Sequence, residues 1–121
     1  MMSKILVVDD AAFMRMSLKM MLKRNGFEVI GEAENGVDAI QQYKKLKPDL
    51  VTMDITMPVM QGLDALKAIK DYDSEAKVVM VTAMGQERMI KESIMYGAKS
   101  FIVKPFKEEH VVKTLADILS L

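Results

Sequence analysis

Cysteine and tryptophan are absent from this chain of 121 residues, proline occurs three times and histidine once. Without cysteine there is no disulfide, no thiolate nucleophile and no thiolate zinc site. With His110 as the sole imidazole, a histidine metal cluster is excluded as well. An excess of charge is also missing. Seventeen Lys and Arg balance seventeen Asp and Glu, so no overall field draws the chain to nucleic acid or anionic lipid. No apolar run approaches the ~20 residues of a membrane span, and none follows a basic start in the manner of a signal peptide. These absences predict a soluble, cytoplasmic protein without nucleic-acid binding or membrane insertion. Any catalytic or metal chemistry must run on carboxylates, hydroxyls, amines and backbone oxygens.

Half of the residues are apolar and 28% are charged, which predicts one compact domain over 1–121 with no output domain. Short β-branched runs alternate with stretches of helical period. Ile5 to Val8 reads as a first strand, followed by a helix with Phe13, Met14, Leu18, Met21 and Leu22 on its apolar face, stopping at Asn25-Gly26. A strand around Val29-Ile30 precedes a helix carrying Val37, Ile40 and Tyr43, which ends at Lys47-Pro48. Asp49 to Met53 forms a third strand, ending at Asp54. A punctuated loop then leads to a helix with Leu63, Leu66 and Ile69. Val78 to Val81 and Phe101 to Val103 supply two more strands. Their helices carry Met89, Ile90 and Ile94, then Val111, Val112, Leu115 and Leu119. Short connections between these units predict a parallel sheet with helices on both faces. Most of the thirteen methionines read as flexible core filler.

Ligands of such sheets bind outside the carboxyl ends of the strands. Asp9 and Asp10 close the first strand, Asp54 the third, Thr82 the fourth and Lys104 the fifth, so all emerge on one edge. In either common strand order the first and third strands are neighbours, and three carboxylates converge. That crowding requires a cation or a proton. The donors are carboxylates and backbone carbonyls, which select a hard ion, magnesium first. One carboxylate then remains free to react, and Asp54 is the candidate nucleophile toward phosphorus, with Lys104 and Thr82 around the incoming oxygens. Taken singly, Asp9, Asp10 or Thr82 would be helix caps and Lys104 a solvated lysine. Their joint placement on one edge carries the functional reading. His110, beside Glu108 and Glu109, reads as an exposed helix residue.

The motifs V-V-D-D at 7–10, M-D-I-T-M-P at 53–58, V-T-A at 81–83 and K-P-F at 104–106 resemble the receiver domains of two-component response regulators over essentially the whole chain. The resemblance implies an α/β, flavodoxin-like (CheY-like) three-layer sandwich, with a five-stranded parallel sheet of order 2-1-3-4-5 and five helices. It implies that Asp54 is the phosphoacceptor. Asp9, Asp10, Asp54 and the Thr56 backbone carbonyl would hold Mg2+, for which Mn2+ can substitute. It assigns phosphate binding and switching to Thr82, the Ala83 backbone N–H, Lys104 and Phe101, and a cis bond to Pro105. Thr56 and Met84 would tune dephosphorylation. A sensor histidine kinase phosphohistidine would be the donor. Thr82 would move toward the phosphoryl group as Phe101 turns inward, reshaping the surface of the fourth helix, fifth strand and fifth helix.

D-D-A-A-F-M-R at 9–15 further resembles single-domain chemotaxis regulators of the CheY type. That implies the flagellar motor switch as downstream partner and a phosphatase as another. A standalone phosphorelay intermediate, or a receiver excised from a longer regulator, fits the same motifs. A magnesium-dependent phosphohydrolase would use a second Asp two residues after the nucleophile, where this chain has Thr56. A flavin carrier would need a hydroxyl- and glycine-rich phosphate loop where Asp9 and Asp10 stand. The reading is therefore of a phosphoacceptor switch that assists its own phosphorylation and dephosphorylation, not an enzyme acting on external substrates.

Overall fold

A computed structural model describes residues 2–120 of the chain. Strands and helices alternate: β1 (Lys4–Val8), α1 (Ala12–Arg24), β2 (Glu28–Ala33), α2 (Gly36–Leu46), β3 (Leu50–Asp54), α3 (Gly62–Tyr72), β4 (Val78–Ala83), α4 (Glu87–Met95), β5 (Ser100–Lys104) and α5 (Glu108–Leu119). The strands are all parallel, in the order β2-β1-β3-β4-β5. Side chains alternate across the sheet, so each central strand feeds two cores. Leu6, Val8, Val51, Met53, Val78 and Met80 pack with α2 and α3, and α4 leans on the same side through Met89 and Ile90. Ile5, Val7, Leu50, Val79 and Ile102 pack with α1 and α5. β1, β3 and most of β4 are buried on both faces, which is why they read as unbroken apolar runs.

Three apolar residues expected on packed helix faces lie outside them. Phe13 is 79% exposed, because the first turn of α1 runs past the end of β1 at Val8 and only the later Leu18, Met21 and Leu22 meet the sheet. Val37 is also exposed. The Asn35 side chain accepts from the Asp38 N–H and Gly36 N–H donates to the Met60 carbonyl, which turns Gly36 and Ala39 inward and Val37 outward. Ile94 is 45% exposed. The small Ser93 is the buried residue of α4, leaving this helix lightly anchored.

In the loop after β3, Val59 has a left-handed backbone with φ 68° and is exposed. A β-branched residue there is strained by about 1–2 kcal/mol, and glycine is not. After the extra entropy glycine has when unfolded, Val59→Gly is expected to stabilise the domain by about 1 kcal/mol. An unchanged denaturant midpoint would show that the loop carries no such strain.

Candidate functional site

The carboxyl edge of the sheet gathers the residues that the sequence singled out. Asp54 is the last residue of β3, and Asp9 and Asp10 directly follow β1, its neighbour. Asp9 and Asp54 are buried and Asp10 is exposed, and one oxygen of each lies within 4.8 Å of the others. Neither Asp9 nor Asp10 caps α1. That role falls to Ala11, which makes no side-chain cap. Asp9 instead spends both oxygens locally, one on the Ala11 N–H at 2.9 Å and one on Lys104 Nζ at 3.0 Å. Its backbone carbonyl accepts from Arg15 Nη1 at 2.7 Å, and Arg15 pairs in turn with Glu32. Arg15 thus braces the Asp9 main chain, a contact that its place in an ordinary helical stretch did not signal.

Lys104, at the end of β5, reaches Asp54 Oδ1 at 3.6 Å as well. Burial works against the lysine charge, but the hydrogen bond to Asp9 and the charges of Asp54 and Asp9 together outweigh it and raise its pKa. One cation does not neutralise three carboxylates. Burial first, then the charge of Asp9, push Asp54 up to about 6; Lys104 opposes this and Asp10 adds to it. The donor set therefore suits a further hard cation, since oxygen ligands with uncompensated negative charge match magnesium chemistry.

Thr82 is buried in β4 one residue beyond Val81, the register partner of Asp54, and Ala83 pairs with Lys104. Thr56 and Met84 are both exposed in the loops after β3 and β4. Phe101 is 41% exposed and borders a cavity of about 250 Å³ shared with Ala83, Met84, Gln86 and Ile90. The Lys104–Pro105 peptide is cis. His110 is exposed on α5.

Gln86 is a second polar residue at the site that the sequence did not signal. Its Oε1 accepts from the Thr82 hydroxyl at 2.6 Å and from the Ala83 N–H at 2.8 Å, while its Nε2 donates to Thr56 Oγ1 at 2.8 Å. It stands at the N-cap of α4 without capping it. Glutamine is a poor cap residue. Its position just before a helix was the one available hint that its side chain serves another purpose.

Several known proteins are similar to this chain. The response regulator receiver domain family matches residues 5–116. The chemotaxis protein CheY of Bacillus subtilis is 55% identical over 117 residues, spanning 97% of this chain and 98% of the relative. Its namesake in Thermotoga maritima is 56% identical over 93% of each. Among solved structures, the CheX-CheY-BeF3-Mg+2 complex of Borrelia burgdorferi superposes with a TM-score of 0.92 at 36% identity, covering 96% of this chain and 88% of that one. Sheet order, acidic edge and these likenesses agree, and the chain belongs to the response regulator receiver domain family.

Proposed function

We propose that this receiver is a chemotaxis-type switch that takes a phosphoryl group onto Asp54 from the phosphohistidine of a sensor kinase. The observation that carries the assignment is the meeting of Asp9, Asp10 and Asp54 with Lys104 at one sheet edge. An Asp54 carboxylate oxygen attacks phosphorus, the P–N bond breaks, and the imidazole leaves with a proton. An acyl phosphate results. With its pKa near 6, Asp54 is mostly ionised at neutral pH yet more basic than an ordinary carboxylate. Lys104 balances charge on the transferred oxygens, and the Thr82 hydroxyl and Ala83 N–H are the neutral donors beside them. Asp9, Asp10, Asp54 and the Thr56 carbonyl would hold magnesium, which supplies charge neutralisation for the phosphoryl oxygens.

Membership of the receiver domain family supports a signalling switch, and in this reading the domain's own residues assist both gain and loss of the phosphoryl group. Thr56 and Met84 flank the mouth of the site and set how readily water enters. Among the described residues no helix is long and apolar enough to cross a membrane, and we place the protein in the cytoplasm with its kinase. Downstream, Phe101 and the exposed α4 residues Ile94 and Met95 face a protein partner such as the flagellar motor switch. The Borrelia burgdorferi relative was solved in a complex with CheX, and a phosphatase is a second protein partner that fits this reading of the chain.

Intact mass after brief incubation with magnesium and a small phosphodonor tests the assignment. One added phosphoryl group is expected in the wild type, none in Asp54→Asn, and none when the metal is chelated. An adduct that persists in Asp54→Asn would move the acceptor elsewhere.

A further inference from the structure

The Gln86 carboxamide presents the Thr82 hydroxyl and the Ala83 N–H with a single acceptor oxygen, at 2.6 and 2.8 Å. Those two donors are the neutral groups that a phosphoryl oxygen on Asp54 would need. The other end of the amide is fixed by Thr56 Oγ1, in the loop leaving β3. Gln86 therefore bridges the ends of β3 and β4 and satisfies the donors internally. We propose that Gln86 is a latch, a positioning residue whose amide oxygen stands in for the phosphoryl oxygen and holds Thr82, Ala83 and the start of α4 in the unphosphorylated arrangement.

Four features of the chain fit this role. Gly85, immediately before, has φ 90°, a backbone that lets the loop turn Gln86 toward the site. Gln86 does not cap α4, so releasing its side chain costs that helix no cap. The helix itself buries only Ser93 fully and rests on the sheet through the partly buried Met89 and Ile90, so it is free to shift when the tether opens. Gln86 and Phe101 also border the same cavity. A phosphoryl oxygen that captures Thr82 and Ala83 displaces the amide, and the start of α4 is released beside Phe101. A ligand that must displace an internal competitor binds less tightly, by the fraction of molecules in which the competitor is absent.

This inference rests on Asp54 being the phosphoacceptor, and the test separates the two. Beryllofluoride with magnesium serves as the phosphoryl probe, titrated into wild type, Gln86→Met and Asp54→Asn. Methionine keeps the side-chain length and removes the acceptor. Gln86→Met is expected to bind beryllofluoride about three- to tenfold more tightly, the scale of one net hydrogen bond lost from the resting state. A purely structural role for Gln86 would alter the unfolding midpoint and leave that affinity unchanged. In the wild type, the Gln86 side-chain N–H2 signals are expected to shift on saturation as the amide leaves Thr56. Equal or weaker affinity in Gln86→Met, or unmoved Gln86 signals at saturation, would overturn the latch while the acceptor stands. No uptake by the wild type would bring down the Asp54 assignment and the latch with it.

Discussion

Gly62→Ala is expected to cost about 3 kcal/mol of stability and to disable phosphorylation at Asp54, a larger loss than any other single methyl placed on a glycine of this chain. Gly62 opens α3 directly beneath the end of β3. A Cβ there would drive into the Asp54 carbonyl oxygen, with the Asp54 carbonyl carbon and Ile55 Cα at 3.0 Å. These are backbone atoms of a buried strand end, and no flexible side chain can move aside. The segment is also pinned, because Gly62 N–H donates to the Ile55 carbonyl at 2.7 Å and Ile55 N–H to the Val81 carbonyl at 3.1 Å. Relief must come from moving α3 or the Asp54 peptide, and a displacement of the latter carries the carboxylate away from Lys104. The other crowded glycines give a graded comparison. Gly36→Ala meets both the side chain and the carbonyl of Met60 and should cost less, while Gly31→Ala meets chiefly the movable tip of Leu46 and should cost least. Guanidinium denaturation of the three variants measures that order, and intact mass after phosphodonor treatment measures the site. A Gly62→Ala protein of wild-type stability would show that α3 does not approach β3 this closely.

The same loop shows what a linear sequence conveys. Asp54 was legible because a carboxylate at the end of a buried apolar strand contradicts strand preference, and such contradictions concentrate at functional sites. That the strands run parallel was legible from the short connections and the apolar runs, and the acidic edge followed from it, whereas their order came from the resemblance to receiver domains. Burial of individual helix residues was less so. Helical period identifies a face, but not where the sheet beneath it ends, and Phe13 falls beyond that end. Nor does it fix the rotation of a helix whose first turn is held by other contacts, as Gly36 is held by Met60 and Val37 is thereby turned out. The bridge made by Gln86 depends on three side-chain hydrogen bonds across two loops. No spacing rule encodes it.

Asp54→Asn is expected to make the metal-free domain more stable than the wild type by about 2 kcal/mol at pH 8, and no more stable near pH 4. Burial, joined by the charge of Asp9, raises the Asp54 pKa to about 6 from an ordinary value of 3.8. The folded protein therefore holds a proton on Asp54 through a range in which the unfolded chain has lost it. Stability then falls as pH rises from about 4 to about 6, and the deficit is complete above the folded pKa. The gap between the two values corresponds to at most about 3 kcal/mol. The expected gain is smaller because the mutation also removes the charge facing Lys104, which keeps Asp9 at 3.0 Å. Asparagine cannot ionise, so the variant escapes the deficit. In chelator, its excess melting temperature over wild type should amount to roughly 8 °C at pH 8 and disappear as the buffer approaches pH 4. Magnesium should narrow the difference at pH 8, since a cation held by the ionised pocket stabilises the folded wild type and has one carboxylate fewer in the variant. Parallel melting curves for the two proteins from pH 4 to pH 8 in chelator would mean that Asp54 ionises freely in the fold. The crowding of carboxylates at this edge would then carry none of the energetic tension that here links metal, phosphoryl group and switch.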